Sequence, residues 1–505
     1  MELMLFDQLQ QIPNAFLSVF TFQNLIWILL GSLLGTVFGA APGLTATTAV
    51  ALFTPATFYM PLEQSLSFLL GMYCSGYWAG SIPAILINTP GAPGNAATTM
   101  DGYPMAKKGK AGEALGHSIV ASWIGGTTSA FALLIFAPLI GALALKFGAA
   151  EYFSVGVLGL LCVSGISGGS ILKGVAGAVI GMLLGAVGMD PIGGEPRFTF
   201  DNVNLMGGIA LVPALVGFFA ITEVLSRSEG GVEKGVIEDR IKRTLPDLRK
   251  YLVYKWTLIR SIIIGIIVGA LPGTGPTVAS WMSYNEAIRN SKDPKKFGKG
   301  STEGLIACES ANNSVTGGAL IPLLTLGIPG DTVTAVLLGA LMIQGLTPGP
   351  MLIQEQYSLV SELLWILIIA NLFMLVIGLL GSRICPYILK LPVEILMPLV
   401  TVLCVVGGYA VNNSFFDVKM LIVVGIVGFV LMKFGFPIPP IVLGLILGPI
   451  IEPNLRRALS GSEMNPLVFV TRPLSAIILA LALALVVFVI IRAKRERKSE
   501  KGQVI

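Results

Sequence analysis

The chain has 505 residues, of which 54% are hydrophobic and only 12% are charged, and its mean hydropathy is +0.82. Ordinary soluble domains carry roughly 25% charged residues, so this composition excludes a soluble protein and indicates a polytopic membrane protein. The net charge of +5 is concentrated in a few loops and concerns membrane topology, not nucleic-acid binding. Five scattered cysteines and a single histidine, His117, argue against a disulfide framework and against a histidine-based metal site.

The N-terminal part is predicted to be a short leader at residues 1–20, followed by a first membrane repeat at residues 21–225. An apolar segment of spanning length begins at Asn24 and is interrupted by Pro42 and Gly43. Proline removes an amide donor and glycine adopts conformations closed to other residues, so this pair predicts a broken helix.

A re-entrant hairpin is predicted next, at residues 65–100, because the apolar runs there are short and interrupted by glycine. The hairpin contains Ile82-Pro83 and, six residues later, Pro90-Gly91. Hydrophobic stretches follow near residues 117–145, 152–168, 171–189 and 204–225, the last two separated by a polar loop at 190–197.

A basic loop at residues 226–255 carries eight Lys and Arg residues and divides the two halves. A second membrane repeat is predicted at residues 256–470, with its helix broken at Pro272-Gly273 and its hairpin within residues 303–344. A final helix and a basic tail occupy residues 471–505. Further spans are expected near residues 358–380, 394–411, 417–433 and 437–451.

The two halves repeat the same pair of blocks. The break at Pro42-Gly43 returns 230 positions later at Pro272-Gly273, and Ile82-Pro83 with Pro90-Gly91 returns as Ile321-Pro322 with Pro329-Gly330. Paired interrupted segments at corresponding places in two halves are the sequence feature that points to the binding site of a secondary transporter. Kinks that only pack against neighbouring helices are the alternative.

The charges of equivalent loops indicate that the repeats are inverted. The loop after the first broken helix, Pro61–Gln64, has no cation, whereas its counterpart at residues 292–299 has four lysines. After the hairpin the bias reverses, with Lys107, Lys108 and Lys110 in the first copy and no cation at residues 349–356 in the second. Cytoplasmic loops carry an excess of Lys and Arg, so equivalent loops lie on opposite sides of the membrane. The same rule predicts a cytoplasmic C-terminus, and we expect a periplasmic N-terminus.

The substrate site is predicted at the two breaks and the two hairpin tips. Half-helix N-termini direct amides and positive dipole ends toward anions, so backbone amides, and not a buried arginine, are expected to hold the substrate charge. Thr45 and Thr47 are interpreted as walls of this site, with helix packing as the rival interpretation. The predicted substrate-binding residues are Pro42, Gly43, Thr45, Thr47, Pro90, Gly91, Pro272, Gly273, Pro329 and Gly330.

A coupling-ion site, for Na⁺ or H⁺, is predicted beside the hairpins, where hydroxyl and amide side chains supply neutral oxygen ligands. Helix-to-helix hydrogen bonds are the alternative role for these side chains, and Asp331 is also well placed to be a helix N-cap. Glu309, an acidic residue near the second hairpin, is a candidate ion ligand or proton carrier. The predicted coupling-ion residues are Asn88, Thr89, Asn312, Asn313, Ser314, Asp331 and Thr332. No other cofactor and no metal beyond a sodium ion are expected.

The blocks resemble those of the large membrane subunit of the tripartite tricarboxylate transporters. The match covers nearly the whole chain and is carried by Ala41–Ala46, Ile82–Gly91, Asp101–Ala106, Glu309–Asn313, Gly327–Asp331, Ala335–Leu341 and Gly345–Pro350. The resemblance implies a carboxylate symporter of the bacterial inner membrane, similar in fold to elevator-type transporters. It also implies a small membrane subunit and a periplasmic substrate-binding protein as partners.

The function predicted is therefore the transmembrane subunit of a cation-coupled, binding-protein-dependent importer of small di- or tricarboxylates. A stand-alone carrier for another anion or an amino acid is the alternative, and a gated channel is a third hypothesis. Nothing in the sequence resembles a hydrolase elbow, a P-loop or a metalloprotease helix, so we expect no enzymatic activity.

Overall fold

The computed structural model describes residues 2–41, 43–166, 171–229, 246–273, 275–381, 385–389 and 393–501. Within these ranges the chain is almost entirely helical, with one pair of two-residue strands. By length and composition, seven described helical segments could cross a membrane, which confirms the prediction of an all-α polytopic membrane protein. They are Phe22–Ala40, Ala111–Ala144, Leu211–Glu229, Ser358–Gly381, Glu394–Asn412, Phe415–Lys433 and Ile438–Ser460.

The helices are numbered in chain order. The first half contains α1 (Glu2–Val19), α2 (Phe22–Ala40), α3 (Ala46–Phe53), α4 (Leu62–Ala79), α5 (Ser81–Ile87), α6 (Ala96–Lys107), α7 (Ala111–Ala144), α8 (Ala149–Ile166), α9 (Ile171–Gly185), α10 (Leu211–Val216) and α11 (Thr222–Glu229). The second half contains α12 (Arg249–Val253), α13 (Lys255–Ala270), α14 (Gly275–Asn290), α15 (Thr302–Leu326), α16 (Thr332–Ile343), α17 (Pro350–Glu355), α18 (Tyr357–Gly381), α19 (Cys385–Ile388), α20 (Val393–Asn412), α21 (Phe415–Lys433), α22 (Ile438–Ser460), α23 (Val468–Thr471) and α24 (Pro473–Lys501). The strands are β1 (Gly188–Met189) and β2 (Pro196–Arg197), which pair antiparallel.

The chain forms two compact units. The first unit comprises residues 1–145 and 211–429, and the second comprises residues 146–210 and 430–505. Both copies of the Pro-Gly blocks lie in the first unit. The predicted leader is helix α1, and its Ile12 carbonyl accepts a hydrogen bond from the Trp365 indole of α18 at 2.9 Å.

The two copies in the first unit make equivalent backbone contacts. In α2, a Cβ added at Gly35 would lie 2.7 Å from Cα of Met72 in α4. In α13, a Cβ added at Gly265 would lie 3.0 Å from Cα of Ala311 in α15. In each copy, therefore, a glycine of the helix that precedes the break lets that helix approach the backbone of the helix that leads into the hairpin.

Both broken helices end where the sequence predicts. Helix α2 ends at Ala40, and Gly43 has a φ of +87° before α3 begins at Ala46. Helix α13 ends at Ala270, and Gly273 has a φ of +73° before α14 begins at Gly275. Positive φ favours glycine, because a side chain would clash with the backbone in this conformation. Pro42, which is predicted to line the substrate site, lies outside the described residues.

The two hairpins share one turn geometry. Asn88 follows α5 with a φ of +59°, and the next amide, that of Thr89, donates to the Pro83 carbonyl at 3.3 Å. Gly327 follows α15 with a φ of +69°, and the next amide, that of Ile328, donates to the Pro322 carbonyl at 3.2 Å. Glycine and asparagine are the residues that most readily adopt this left-handed conformation after a helix.

Several boundaries differ from the sequence prediction, and α12 and the start of α13 also fall within the predicted loop 226–255. Helix α11 continues to Glu229, so the first four residues of the predicted loop 226–255 are helical, and residues 230–245 lie outside the described part of the chain. The polar segment 190–197 includes strand β2. The stretch expected from residue 204 becomes helical only at Leu211, because a 3-10 turn at Val203–Leu205 and Gly208, with a φ of +81°, precede it.

The second unit is built on α8, α9, α22 and α24. The carboxylate of Glu151 in α8 accepts a hydrogen bond from Arg472 at 2.8 Å. Asp190 accepts two hydrogen bonds from Nη1 of Arg456 at 2.8 and 2.9 Å, and these bonds lower the pKa of the Asp190 carboxyl. Arg197 in β2 forms an ion pair with Glu452 in α22 at 2.6 Å. The Arg197–Glu452 and Arg456–Asp190 pairs therefore link the strand pair to the C-terminal part of α22.

Candidate functional site

Asp331 is the N-cap of α16, the helix that follows the second hairpin. Its Oδ1 accepts from the Thr334 amide at 2.7 Å, while the Asp331 amide donates to the Thr334 hydroxyl at 2.9 Å. This reciprocal pair is a capping box at the start of α16, so the prediction that Asp331 is an N-cap is confirmed.

The second carboxylate oxygen of Asp331 is bound by two tyrosines of α4. Tyr73 and Tyr77 donate their hydroxyls to Oδ2 at 2.5 and 2.7 Å, and all three side chains are buried. Both carboxylate oxygens therefore have at least two donors each. This arrangement joins the hairpin of the second copy to the first copy, and sequence analysis did not foresee it. The only sequence signal is the spacing of two tyrosines four residues apart, which places them on one face of a helix.

The restarted helices of the two copies meet at a pair of threonines. The hydroxyls of Thr47, in the first turn of α3, and Thr332, the first residue of α16, lie 2.7 Å apart. Thr45 is the N-cap of α3, and its hydroxyl accepts from the Thr48 amide at 3.2 Å. The starts of the helices that follow the first break and the second hairpin are thus in direct contact.

The second break lies against the second hairpin. The Gly273 amide donates to the Gly330 carbonyl at 2.8 Å, and a Cβ added at Gly275 would lie 3.7 Å from Cβ of Asp331. Pro272 and Pro329 are both buried. Three predicted tips, those of the first break, the second break and the second hairpin, therefore converge near Asp331.

The first hairpin reaches this region through the turn that follows its tip. The side-chain amides of Asn95 and Asn312 both donate hydrogen bonds to the Tyr77 carbonyl, each at 3.1 Å. A Cβ added at Gly94 would lie 2.8 Å from Oδ1 of Asn312 and 3.0 Å from Cβ of Pro276, which is in α14. The turn after the first hairpin is therefore packed against α14 and α15.

The tip of the first hairpin is different. Asn88, Thr89 and Pro90 are exposed, and the hydrogen bonds of Thr89 within the described residues go to its own turn, at Pro83 and Ile87. Gly91 is buried, and its amide donates to the Gly80 carbonyl at 3.0 Å. The predicted ion ligands of the first hairpin are thus not brought to the residues around Asp331.

Asn313 and Ser314 face the helix interfaces. Asn313 donates to the Cys74 carbonyl at 3.1 Å, and its buried Oδ1 has no hydrogen-bond partner within the described residues. Ser314 donates to the carbonyl of Ser310 in its own helix at 2.6 Å. An unpartnered buried amide oxygen is costly unless a ligand or a water satisfies it, which distinguishes Asn313 from Ser314.

Glu309 is surrounded by three hydroxyl groups that are not among the partners of Asp331. The side chain is completely buried, and its carboxylate accepts from Thr98 and, at 3.0 Å each, from Ser118 and Ser122. No cationic side chain pairs with it in the described part of the chain. Charges buried in a membrane protein are costly and are kept only where other groups compensate, so this carboxylate depends on its three hydroxyl donors.

Arg227 is a further residue that sequence analysis missed, because it was assigned to the basic loop. It lies in the last turn of α11, and its guanidinium covers the first break. A Cβ added at Gly43 would lie 2.6 Å from Cζ and 2.8 Å from Cδ of Arg227. Its Nε donates to Glu223 at 2.8 Å, and the side chain is 46% exposed.

Interrupted helices paired in two halves of a helical membrane protein are typical of membrane transport proteins. The particular family follows from the sequence. The family model described as the tripartite tricarboxylate transporter TctA family matches residues 25–443, and the chain belongs to this family. The resemblance stated from the Pro-Gly blocks is thereby confirmed.

Two curated relatives come from Agrobacterium vitis. An uncharacterized 52.8 kDa protein in the TAR-I ttuC' 3' region is 39% identical over 494 residues, which cover 97% of this chain and 98% of the relative. An uncharacterized protein in the TAR-II ttuC' 3' region is 39% identical over 236 residues, 47% of this chain and 98% of the relative. No solved structure matches significantly.

Proposed function

We propose that the chain is the large transmembrane subunit of a cation-coupled importer of small di- or tricarboxylates in the bacterial inner membrane. It works with a small membrane subunit and with a periplasmic binding protein that delivers the substrate. Its C-terminus is cytoplasmic and its N-terminus periplasmic. Membership of the family supports the transport role and these partners.

The observation that carries this proposal is the meeting of the interrupted helices. The hydroxyls of Thr47 and Thr332 touch at 2.7 Å, and the Gly273 amide binds the Gly330 carbonyl at 2.8 Å. Non-helical backbone at membrane depth is tolerated where it is buried in protein or lines a cavity. The breaks and hairpin tips are therefore the best candidates for the substrate site.

For the coupling ion, Asn313 is the best supported of the predicted ligands. Its Oδ1 is buried and unpartnered within the described residues, and an amide oxygen of this kind suits Na⁺. The oxygens of Asp331 already accept from two tyrosines and a threonine, so an ion there would displace an existing donor. The exposed Asn88 and Thr89 are the least supported.

The inverted topology and the elevator-type mechanism are part of the same proposal. Support for the inversion comes from the opposite charge bias of equivalent loops. Support for the duplication comes from the equivalent contacts of Gly35 with Met72 and of Gly265 with Ala311. Inverted repeats that carry their binding site at discontinuous helices are typical of secondary transporters.

Reconstitution into proteoliposomes tests the proposal. Uptake of radiolabelled citrate and succinate is measured with and without the small membrane subunit and the binding protein, under separate Na⁺ and H⁺ gradients. We expect uptake that requires the binding protein and a cation gradient. Gradient-driven uptake by the chain alone would instead indicate a stand-alone carrier, and downhill flux without coupling would indicate a gated channel.

A further inference from the structure

We propose that Arg227 binds a carboxylate group of the transported substrate against the first helix break, in an anion subsite formed by Arg227, Gly43 and the start of α3. This inference rests on the proposed function, because it takes the substrate to be a di- or tricarboxylate. It assigns the recognition of substrate charge to a side chain outside both Pro-Gly blocks.

The position of Arg227 is the first argument. Its Cζ and Cδ occupy the space in which a side chain at Gly43 would stand, 2.6 and 2.8 Å from an ideal Cβ. Gly43 also has a φ of +87°, which other residues rarely adopt. Two constraints therefore favour glycine at this position: the backbone conformation, and the lack of room for a side chain beneath the guanidinium.

The second argument is that the guanidinium has donors without a partner among the described residues. Within the described residues its hydrogen bond is from Nε to Glu223, four residues earlier in the same helix. Arginine presents five N–H donors in a rigid fork that matches a carboxylate in a bidentate pair. Nη1 and Nη2 have no hydrogen-bond partner among the described residues, and the side chain as a whole is 46% exposed.

The third argument is that other tip amides are occupied. The amides of Gly91 and Gly273 donate to the carbonyls of Gly80 and Gly330, and the Asp331 amide donates to Thr334. Asp331 also contributes a buried carboxylate to the region where the interrupted helices meet, so an anionic substrate there needs a compensating cation. A substrate with two or three negative charges therefore needs a cationic partner, and Arg227 provides one at the first break.

Glu223 has a defined role in this subsite. It pairs with Nε of Arg227 while the subsite is empty, and an i,i+4 pair at this exposure contributes little to stability. When a substrate carboxylate binds at Nη1 and Nη2, Glu223 holds the guanidinium in place but also repels the anion. The two effects oppose each other, so the loss of Glu223 should change substrate binding less than the loss of Arg227.

The test uses the purified chain in detergent and in proteoliposomes with its partner subunits. Binding is measured as ligand-induced thermal stabilisation and transport as uptake, for a panel that includes citrate, succinate and the monoamide succinamate. The variants are Arg227→Gln, Arg227→Lys and Glu223→Gln. The matched control is Arg289→Gln, which changes an exposed arginine in the last turn of α14.

We expect Arg227→Gln to weaken citrate and succinate binding by about 10- to 100-fold, because a charge-assisted bidentate pair is lost. Arg227→Lys should restore only part of the affinity, since lysine cannot form the bidentate pair. Glu223→Gln should lose less affinity than Arg227→Gln, and the affinity of Arg289→Gln should be unchanged. The preference for succinate over succinamate should shrink in Arg227→Gln, which a purely structural role would not cause.

The outcomes separate the two proposals. If the wild type binds and transports carboxylates and Arg227→Gln does so with equal affinity, the subsite is wrong and the proposed function stands. If the wild type binds no member of a broad di- and tricarboxylate panel in the complete assembly, the proposed function and the subsite both fail. Unliganded Arg227→Gln should unfold at the wild-type temperature, which excludes misfolding as the cause of a loss.

Discussion

The hydroxyl of Thr47 lies 2.7 Å from the hydroxyl of Thr332, and this contact joins the two copies of the duplicated chain at the points where their helices restart. Each hydroxyl can serve as donor to the other. Replacing either threonine with valine removes one partner and leaves the other hydroxyl partly buried without it. We expect each single variant to lose about 1 kcal/mol of stability and the double variant to lose less than the sum.

Thermal unfolding of the purified protein, analysed as a double-mutant cycle, measures this coupling. Uptake should fall in both single variants if the contact orders the substrate site. Strictly additive losses would mean that the two hydroxyls do not interact in the membrane-embedded protein.

Removal of the Asp331 carboxylate should be among the most destabilising single changes in the first unit. Asp331→Ala removes the capping box of α16 and leaves the Tyr73 and Tyr77 hydroxyls buried without an acceptor. Two buried unpaired hydroxyls and a lost cap together cost about 3 kcal/mol or more. The yield of monodisperse protein in detergent and its unfolding temperature should therefore fall.

The matched variant is Tyr73→Phe combined with Tyr77→Phe, which keeps the cap and removes only the two donors to Oδ2. It should be less destabilised than Asp331→Ala. An Asp331→Ala protein of normal yield and normal unfolding temperature that fails only in uptake would show that the residue serves transport and not the fold.

Asn313→Leu should reduce the Na⁺ dependence of uptake more than it reduces membrane abundance. The variant removes a buried amide oxygen that has no partner within the described residues. Thr89→Leu is the matched control, because Thr89 is exposed and its hydrogen bonds within the described residues are made to Pro83 and Ile87 of its own turn. A Na⁺ activation curve for each variant at matched abundance gives the result. Equal shifts for the two variants, or wild-type uptake that is indifferent to Na⁺, would remove Asn313 from the coupling site.

Inverted topology predicts that equivalent loops are labelled from opposite sides of the membrane. Single cysteines at Glu63 and Lys295 follow the broken helices of the two copies, and they should react from the periplasm and the cytoplasm respectively. The five native cysteines are buried and should label slowly.

Cysteines at Lys108 and Glu355 repeat the topology test for the loops after the hairpins, with the cytoplasmic side expected for Lys108 and the periplasmic side for Glu355. Glu355 is exposed and is a better probe than the neighbouring Ile353, which is buried. Labelling of residues 63 and 295 from the same side would contradict the inversion.

The interruptions of the helices could be predicted from the sequence because their causes are local. Gly43 and Gly273 have positive φ, which the sequence indicates by placing a glycine after each proline. Asn88 and Gly327 occupy the same left-handed turn in the two hairpins, so the asparagine that looked like an ion ligand is also explained by its backbone conformation.

The partners of the site residues could not be predicted, because they depend on how distant helices dock. Asp331 is bound by two tyrosines more than 250 positions earlier in the chain. Arg227 reaches Gly43 because α11 extends four residues beyond the predicted end of the span, and composition alone placed those residues in a basic loop. The backbone amides at the breaks and hairpin tips were expected to be free to bind an anion. Two of the four glycines there, Gly91 and Gly273, instead donate to the carbonyls of Gly80 and Gly330.

The glycines at the hairpin tips also bear on how this protein moves. A Cβ at Gly91 would lie 2.5 Å from the Gly39 carbonyl oxygen, and a Cβ at Gly330 would lie 2.6 Å from Cα of Ala319 and close to the Gly269 carbonyl. In each copy a hairpin glycine therefore lies directly against the main chain at the end of the broken helix, where an added side chain would clash. Sliding of packed elements requires small adjustments at their contacts, and a close main-chain contact leaves little room for them. We therefore expect each hairpin tip and the end of its broken helix to move together during transport, and the substrate pathway to open elsewhere.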